Sequence, residues 1–174
     1  MRIVFLSLSS IFFTIIKGSV MDPIVKKYQE VQEKFNLPKF DELQKTLGIE
    51  ISDEKNILDQ IRSEASDKIF SFSEKIIEPL IGGSDNFSCL FEQNMIGKME
   101  MLELFDIYKK IQVLKWESNL LSIRYDERRT AEWIKKMWNL WNNDIQNKLI
   151  KICEKVSIGW NDLKIKKDET HYFI

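Results

Sequence analysis

The sequence predicts an all-α chain: a bundle of three long helices with two shorter N-terminal helices. Three observations carry that expectation. Only six Gly and three Pro interrupt 174 residues, too few breaks for a fold of many short strands and turns. Apolar residues recur at three- and four-residue spacing over long stretches, the signature of amphipathic helices. Hydrophobic residues make up 44% of the chain and charged residues 30%. That balance excludes wholesale disorder and suits one domain with a sizeable core.

The first helix is expected from about Asp22 to Asn36, with Asp22 as N-cap and Pro23 at the first helical position. Val25, Tyr28, Val31 and Phe35 form its inward face. Pro38 breaks it, and a short helix follows over Phe40 to Leu47, with Gly48 placed as its C-terminal stop. Ile49-Glu50-Ile51 reads as an extended link, and Asp53 as the N-cap of a long helix reaching Leu80.

That long helix carries Leu58, Ile61, Ala65, Ile69, Phe72, Ile76 and Leu80 on one stripe. A later helix, starting at Asp126, repeats the rhythm with Ile134, Trp138, Trp141, Ile145, Leu149, Ile152 and Val156. An eleven-residue period of this kind suits a nearly straight helix or a slight right-handed wind. Between them, about Gly97 to Tyr125, the apolar residues Leu104, Ile107, Ile111, Leu114 and Leu121 follow coiled-coil heptad spacing, and Met101, Phe105 and Tyr108 add a second face. A helix apolar on two faces normally lies between two neighbours, which makes this one the expected centre of the bundle. Leu104, Phe105, Ile111, Trp138, Trp141 and Ile145 are expected to be buried together. The joint near Asp126 is short, so the last two long helices should run antiparallel. Gly82-Gly83-Ser84-Asp85 opens the remaining connection, where Phe87, Leu90 and Phe91 suggest a short cross-over helix capped by Ser84 or Asp85.

Residues 1–20 form a separate problem. Ile3 to Ile16 is an uncharged apolar run between Arg2 and Lys17. It is short for a membrane span and fits the core of a signal peptide, but the residues around Gly18 and Ser19 make a poor cleavage site. A third reading starts the protein at Met21. Lys17-Gly18 requires a purine-rich codon pair resembling a ribosome-binding site, two codons before Met21. The chain therefore divides into an upstream apolar segment, 1–20, a single helical domain, 21–164, and a tail, 165–174, in which helical period is lost. A start at Met21 implies a cytoplasmic protein; export or membrane anchoring requires residues 1–20.

No usable catalytic or metal-binding constellation emerges, and no cofactor is implied. His171 is the single histidine and lies in the tail, so nucleophilic catalysis lacks an imidazole base. Cys89 and Cys153 share no short spacing. With His171 they fall short of four zinc ligands, and they read as small hydrophobes in a reducing compartment. Gly82-Gly83-Ser84 has no following Lys and is flanked by Asp85, so a plain turn outweighs a phosphate cradle. Glu100, Glu103 and Asp106 lack the histidines of a bundle di-iron site and read as an exposed acidic stripe.

Net charge is −1, so no global field draws the protein to nucleic acid or an anionic membrane. Locally the charges separate. Glu127 to Lys167 holds ten Lys/Arg against five Asp/Glu, whereas Gly82 to Asp106 holds one Lys against five acids. The five tryptophans, at 116, 133, 138, 141 and 160, are many for this length, and tryptophan is enriched at binding hot spots. Trp133 and Trp160 fall off the main stripe of the last helix. With Lys136, Lys151 and Lys155 they form the candidate interaction surface, suited to an acidic protein groove or to a nucleic-acid strand.

The segment FNLPKFDEL over residues 35–43, followed by Ile49-Glu50-Ile51, resembles the opening of small all-helical proteins predicted in archaeal genomes. DERRTAEWIKKMWNLW over 126–141 and the helix ending near Trp160 are similar in register. The likeness spans most of residues 30–160. It implies a helical fold, a cytoplasmic location and a start near Met21, and it implies no activity. The functional expectation is a non-enzymatic interaction or adaptor protein whose partner is another protein. A nucleic-acid-associated protein is the first alternative, and a membrane-tethered one, requiring residues 1–20, the second.

Overall fold

The computed structural model describes residues 23–83 and 86–163, and every regular element among them is a helix. The order is α1 (Pro23–Phe35), α2 (Phe40–Leu47), α3 (57–81), α4 (Phe87–Met95), α5 (Lys98–Ile123) and α6 (127–162). The expectations for residues 1–20, Asp22, Ser84, Asp85, His171 and the tail fall outside the described residues.

The local signals worked best where a single residue decides the geometry. Gly48 ends α2 in the left-handed region, at φ 61°, and its N–H returns to the Gln44 carbonyl. Asp126 caps α6 by accepting from the Arg129 N–H at 2.8 Å. At α3 the expected Asp53 cap is displaced. Asp53 closes its own small turn on the Lys55 N–H, and α3 begins only at Ile57. The Gln60 amide explains the delay. Its oxygen accepts from the Ser52 and Asp53 N–H groups, and its nitrogen donates to the Asp53 and Lys55 carbonyls. One side chain therefore satisfies the backbone of a turn that would otherwise be the first turn of the helix. The cross-over helix α4 is capped by Asn86, which accepts from the Ser88 N–H.

Both long helices with the eleven-residue rhythm contain one wider turn. In α3 it spans Ser73–Ile77, and in α6 Trp141–Ile145. Each is closed by an N–H reaching five residues back, Glu78 to Ser73 and Gln146 to Trp141. A π-type turn holds an extra residue and shifts which side chains face inward. This corrects the α3 stripe: Ser73 and Ile77 are buried, whereas Phe72 is exposed and Ile76 half-buried. In α6 Met137 takes the inward place expected of Trp138, which is only partly buried. The two wide turns adjoin, with the Phe72 and Trp141 rings 5.4 Å apart.

α3, α5 and α6 each pack on the other two, so α5 is one side of a triangle rather than its centre. Its buried seam is Leu104, Ile107, Ile111, Leu114, Ser118 and Leu121. Phe105, expected inside, is 49% exposed; Leu104, Ile111, Trp141 and Ile145 are buried as expected. Trp133, which falls off the expected stripe, is 2% exposed and donates its indole N–H to the Leu114 carbonyl at 2.9 Å. It fills the α5–α6 interface one turn beyond the point where Met137 takes over.

α1 and α2 are fixed by Tyr28. Its ring lies 5.3 Å from Phe40 and its hydroxyl donates to the Pro38 carbonyl at 2.6 Å. Burial pushes its pKa well above the ordinary tyrosine range. α1 then rests on the start of α6, where Lys135 donates to the Phe35 carbonyl.

Among the described residues one charged side chain is buried in the bundle. Arg62 of α3 is 5% exposed. It binds Asp59 through two nitrogens and donates to both the carbonyl and the hydroxyl of Ser118 on α5. The Ser118 hydroxyl also bonds Ser66 at 2.8 Å. Ser118 thus turns a coiled-coil position into a polar lock between α3 and α5.

Three substitutions check these assignments by urea denaturation. Ser118→Val takes the hydroxyl from the buried guanidinium and should cost about 1–3 kcal/mol. Trp133→Phe should cost a similar amount, about 1–3 kcal/mol, through the lost indole bond to Leu114 and the smaller ring. Gly48→Ala places a Cβ in the left-handed region and should cost about 1–2 kcal/mol, whereas Gly83→Ala, which meets no atom within 4 Å, should change stability far less.

Candidate interaction surface

The segregated charges of the sequence meet one another in the fold. α5 and α6 run antiparallel, so the acidic start of α5 lies along the basic second half of α6. Glu100 pairs with Lys155 and Glu103 with Lys148, while Lys110 of α5 binds Asp144 at 3.0 Å and Glu117 binds Lys136 at 3.0 Å. Glu100 also accepts from the Gly97 N–H at the start of α5. Bonds from Lys155 and then Gly97 hold its carboxyl below the usual range. Lys110 is held above the usual range by Asp144 and Asp106, and Asp106 below it, chiefly by Lys110. The expected acidic stripe is therefore one half of an interhelical ladder. Exposed pairs of this kind contribute little stability each, but they consume the charge that a free basic face requires.

The five residues of the expected surface consequently do not form one face. Trp133 is buried. Lys136 and Lys155 are exposed but paired with α5. Trp160 is 36% exposed, packs on Phe91 with ring centroids 4.7 Å apart, and donates its indole N–H to Glu92. Its role is to hold α4 against the end of α6. Lys151 is exposed on α6 without Trp133 beside it.

A different surface emerges on α5. Beyond its buried seam the helix carries a second series, Leu102, Asp106, Lys109, Val113, Trp116, Leu120 and Ile123. The spacing alternates four and three throughout, so the series forms a second heptad seam on the opposite side of the helix. Its last four members form an uninterrupted apolar stripe. Trp116 is 71% exposed and Ile123 85%, with Val113 and Leu120 exposed between them. Leu102, Phe105 and Met99 continue the apolar surface toward the start of the helix, all exposed. Asp106 and Lys109 interrupt it and are bound to each other. Single exposed apolar residues are ordinary, but a contiguous row of large ones makes this face a candidate interaction surface.

This row was legible in the sequence but hidden there. Phe105 appeared with Met101 and Tyr108 as a second apolar face, and two charged residues broke the true heptad. Met101 and Tyr108 are instead half-buried against the core, Tyr108 donating to Glu78 at 3.1 Å. The structure separates the two faces: one side of α5 covers the bundle, and the opposite side is bare.

Several shallow clefts mark the described surface. One, of about 270 Å³, lies between the end of α3, α4 and α6, and is lined by Lys75, Glu92, Cys153, Ser157 and Trp160 among others. Another, of about 390 Å³, follows the α3–α5 seam beside Arg62, where Ser63, Ser71, Lys115 and Asn119 line it. Neither brings a nucleophile into hydrogen-bond contact with a base. Cys89 and Cys153 are free thiols, Cys89 half-buried and Cys153 exposed rather than packed as a small hydrophobe. Among the described residues no three His, Cys, Asp or Glu side chains are placed to hold a metal ion, and no helix is long and apolar enough to cross a membrane.

No protein-family model matches this chain, and comparisons with characterised proteins and with solved structures find no match.

Proposed function

We propose that the protein is a non-enzymatic interaction module that binds an amphipathic helix of a protein partner along the outer seam of α5. The observation that carries this reading is the exposed row Val113, Trp116, Leu120 and Ile123. A three-four-three spacing on a helix is matched by one other shape, a second helix whose side chains enter the gaps between these residues. Burying a side chain of this size is worth about 1.5–3 kcal/mol, so four of them suffice to hold a partner helix once the cost of association is met. Trp116, at the middle of the row, is the natural anchor. A catalytic role finds no support in either cleft. The nucleic-acid alternative has lost Trp133 and the free charge of Lys136 and Lys155, and retains Lys151.

The test compares the chain with its Trp116→Glu variant as immobilised baits, the chain itself being counted among the prey. Trp116 is exposed, so the variant should keep its stability to within about 0.5 kcal/mol, which a melting curve verifies. At least one protein should be retained tenfold less by the variant. Identical retention of every protein by both baits would falsify the reading. Fluorescence anisotropy with labelled single-stranded RNA and DNA, at low and moderate salt, addresses the alternative. Steeply salt-dependent binding that Lys151→Glu abolishes and Trp116→Glu leaves intact would move the function to α6.

A further inference from the structure

We infer that the helix occupying the outer seam is α5 of a second copy of this chain, running antiparallel to the first. The inference rests on the seam being an interaction surface and adds the identity of its occupant.

The reason lies in the charges that flank the seam. On the side facing α6 stand Glu103, Lys110 and Glu117, with Arg124 following at the C-terminal cap of α5; the four are seven residues apart and alternate in sign. On the other flank Phe105, Gln112 and Asn119 are uncharged. In a parallel pair of coiled helices each flank meets the opposite flank of its neighbour, so four charges would face uncharged residues and gain nothing. In an antiparallel pair like flanks meet. Two copies then satisfy one another in a single register, with Glu103 against the partner's Arg124 and Lys110 against the partner's Glu117, each occurring twice by symmetry.

The same register sets Val113 against the partner's Trp116 at the two-fold axis and lays the aliphatic stem of Lys109 along the partner's Leu120. Gln112 faces the partner's Asn119 on the uncharged flank. Sliding one copy by a heptad in either direction brings like charges together. One shift opposes Lys110 to the partner's Arg124 and Glu117 to its own copy. The other opposes Glu103 to the partner's Glu117 and Lys110 to its own copy. The alternating signs therefore select one register and reject its neighbours. The pairs within each protomer extend rather than compete with this arrangement. Lys136, Glu117, the partner's Lys110 and the partner's Asp144 fall into a row of alternating charge, since Glu117 and Lys110 remain partly exposed while bound to α6. Such a contact is isologous, the commonest form of self-association.

Sedimentation velocity of the full chain at tens of micromolar tests the inference. The wild type should sediment as a dimer and Trp116→Glu as a monomer. Lys110→Glu alone and Glu117→Lys alone should each weaken the dimer at least tenfold, since each sets two like-charge contacts. An equimolar mixture of these two variants should regain the dimer as a heterodimer, because every contact is again opposite in sign. A second pair of variants leaves the ion pairs untouched. In chains with Cys89 and Cys153 replaced by Ser, Gln112→Cys and Asn119→Cys should form a disulfide with each other on mixing, and neither should form one alone. A monomeric wild type overturns the inference, as does a dimer that Trp116→Glu leaves intact, or a mixture that shows neither heterodimer nor mixed disulfide. If the wild type is monomeric yet retains another protein that Trp116→Glu loses, self-association falls and the interaction reading stands. If Trp116→Glu changes nothing the chain binds, itself included, both fall.

Discussion

The buried guanidinium of Arg62 fixes the rotation of α5, and much else follows from that rotation. A charged group in a helical interface is stable only where every donor has an acceptor, and Arg62 finds its acceptors on Asp59 and on Ser118 alone. Turning α5 about its axis, or sliding it by one turn against α3, would carry Ser118 away and leave a buried charge short of partners, an expensive outcome. An all-apolar seam would tolerate such slips more readily, because one Leu or Ile replaces another. With Ser118 held inward, Leu104, Ile111 and Leu121 are held inward too, and Val113, Trp116, Leu120 and Ile123 are necessarily turned out. The exposure of the outer seam is thus a consequence of the polar lock rather than a surface accident.

The ion-pair ladder acts at a second level. Along the chain the charges are separated by about one helix length; in space the antiparallel turn at Asp126 folds the two blocks onto each other. Each exposed pair adds little to stability, yet together they favour one alignment of α5 and α6 over alignments shifted by a turn. They also remove most of the local field. What distinguishes one side of the molecule from another is then not charge but the row of apolar residues left uncovered.

These features were unequally visible in the sequence. The helices, the Gly48 stop and the Asp126 cap are set by local chemistry, and local chemistry is what a sequence displays. The start of α3 was misplaced because the deciding group, the Gln60 amide, acts on backbone seven and eight residues earlier, beyond the range of a capping rule. The inward face of α3 slipped by one residue where the helix widens into a π-type turn, since a period of 3.6 assumes uniform winding; in α6 the slip, Met137 for Trp138, precedes the wide turn, and Trp141 and Ile145 lie inward as expected. Trp133 was misassigned for a related reason. An inward position on a helix covers more than a single stripe, and a large indole one place off the stripe still reaches the interface if a carbonyl such as that of Leu114 lies in front of it. The charged residues of α6 were read as a free face because their partners are 19 to 55 residues away in the chain, and sequence proximity carries no information about pairs so distant.

The two seams of α5 differ in a way that bears on how they are used. The inner one is continuous except for Ser118, whose polarity is fully matched by Arg62 and Ser66. The outer one is broken near its middle by Asp106 and Lys109, whose charges are matched only by each other, Lys110 and water. An obligate interface resembles a domain core cut in half, and the inner seam fits that description. The outer seam does not: its apolar part is short, and its polar part loses hydration when covered. Desolvating Asp106 and Lys109 subtracts from what Val113, Trp116, Leu120 and Ile123 contribute. A helix built this way completes the bundle with its inner seam, and any contact on its outer seam is the weaker of the two. A single amphipathic pattern, repeated on both sides of one helix, thus serves folding on one side and leaves the other side free for the recognition proposed above.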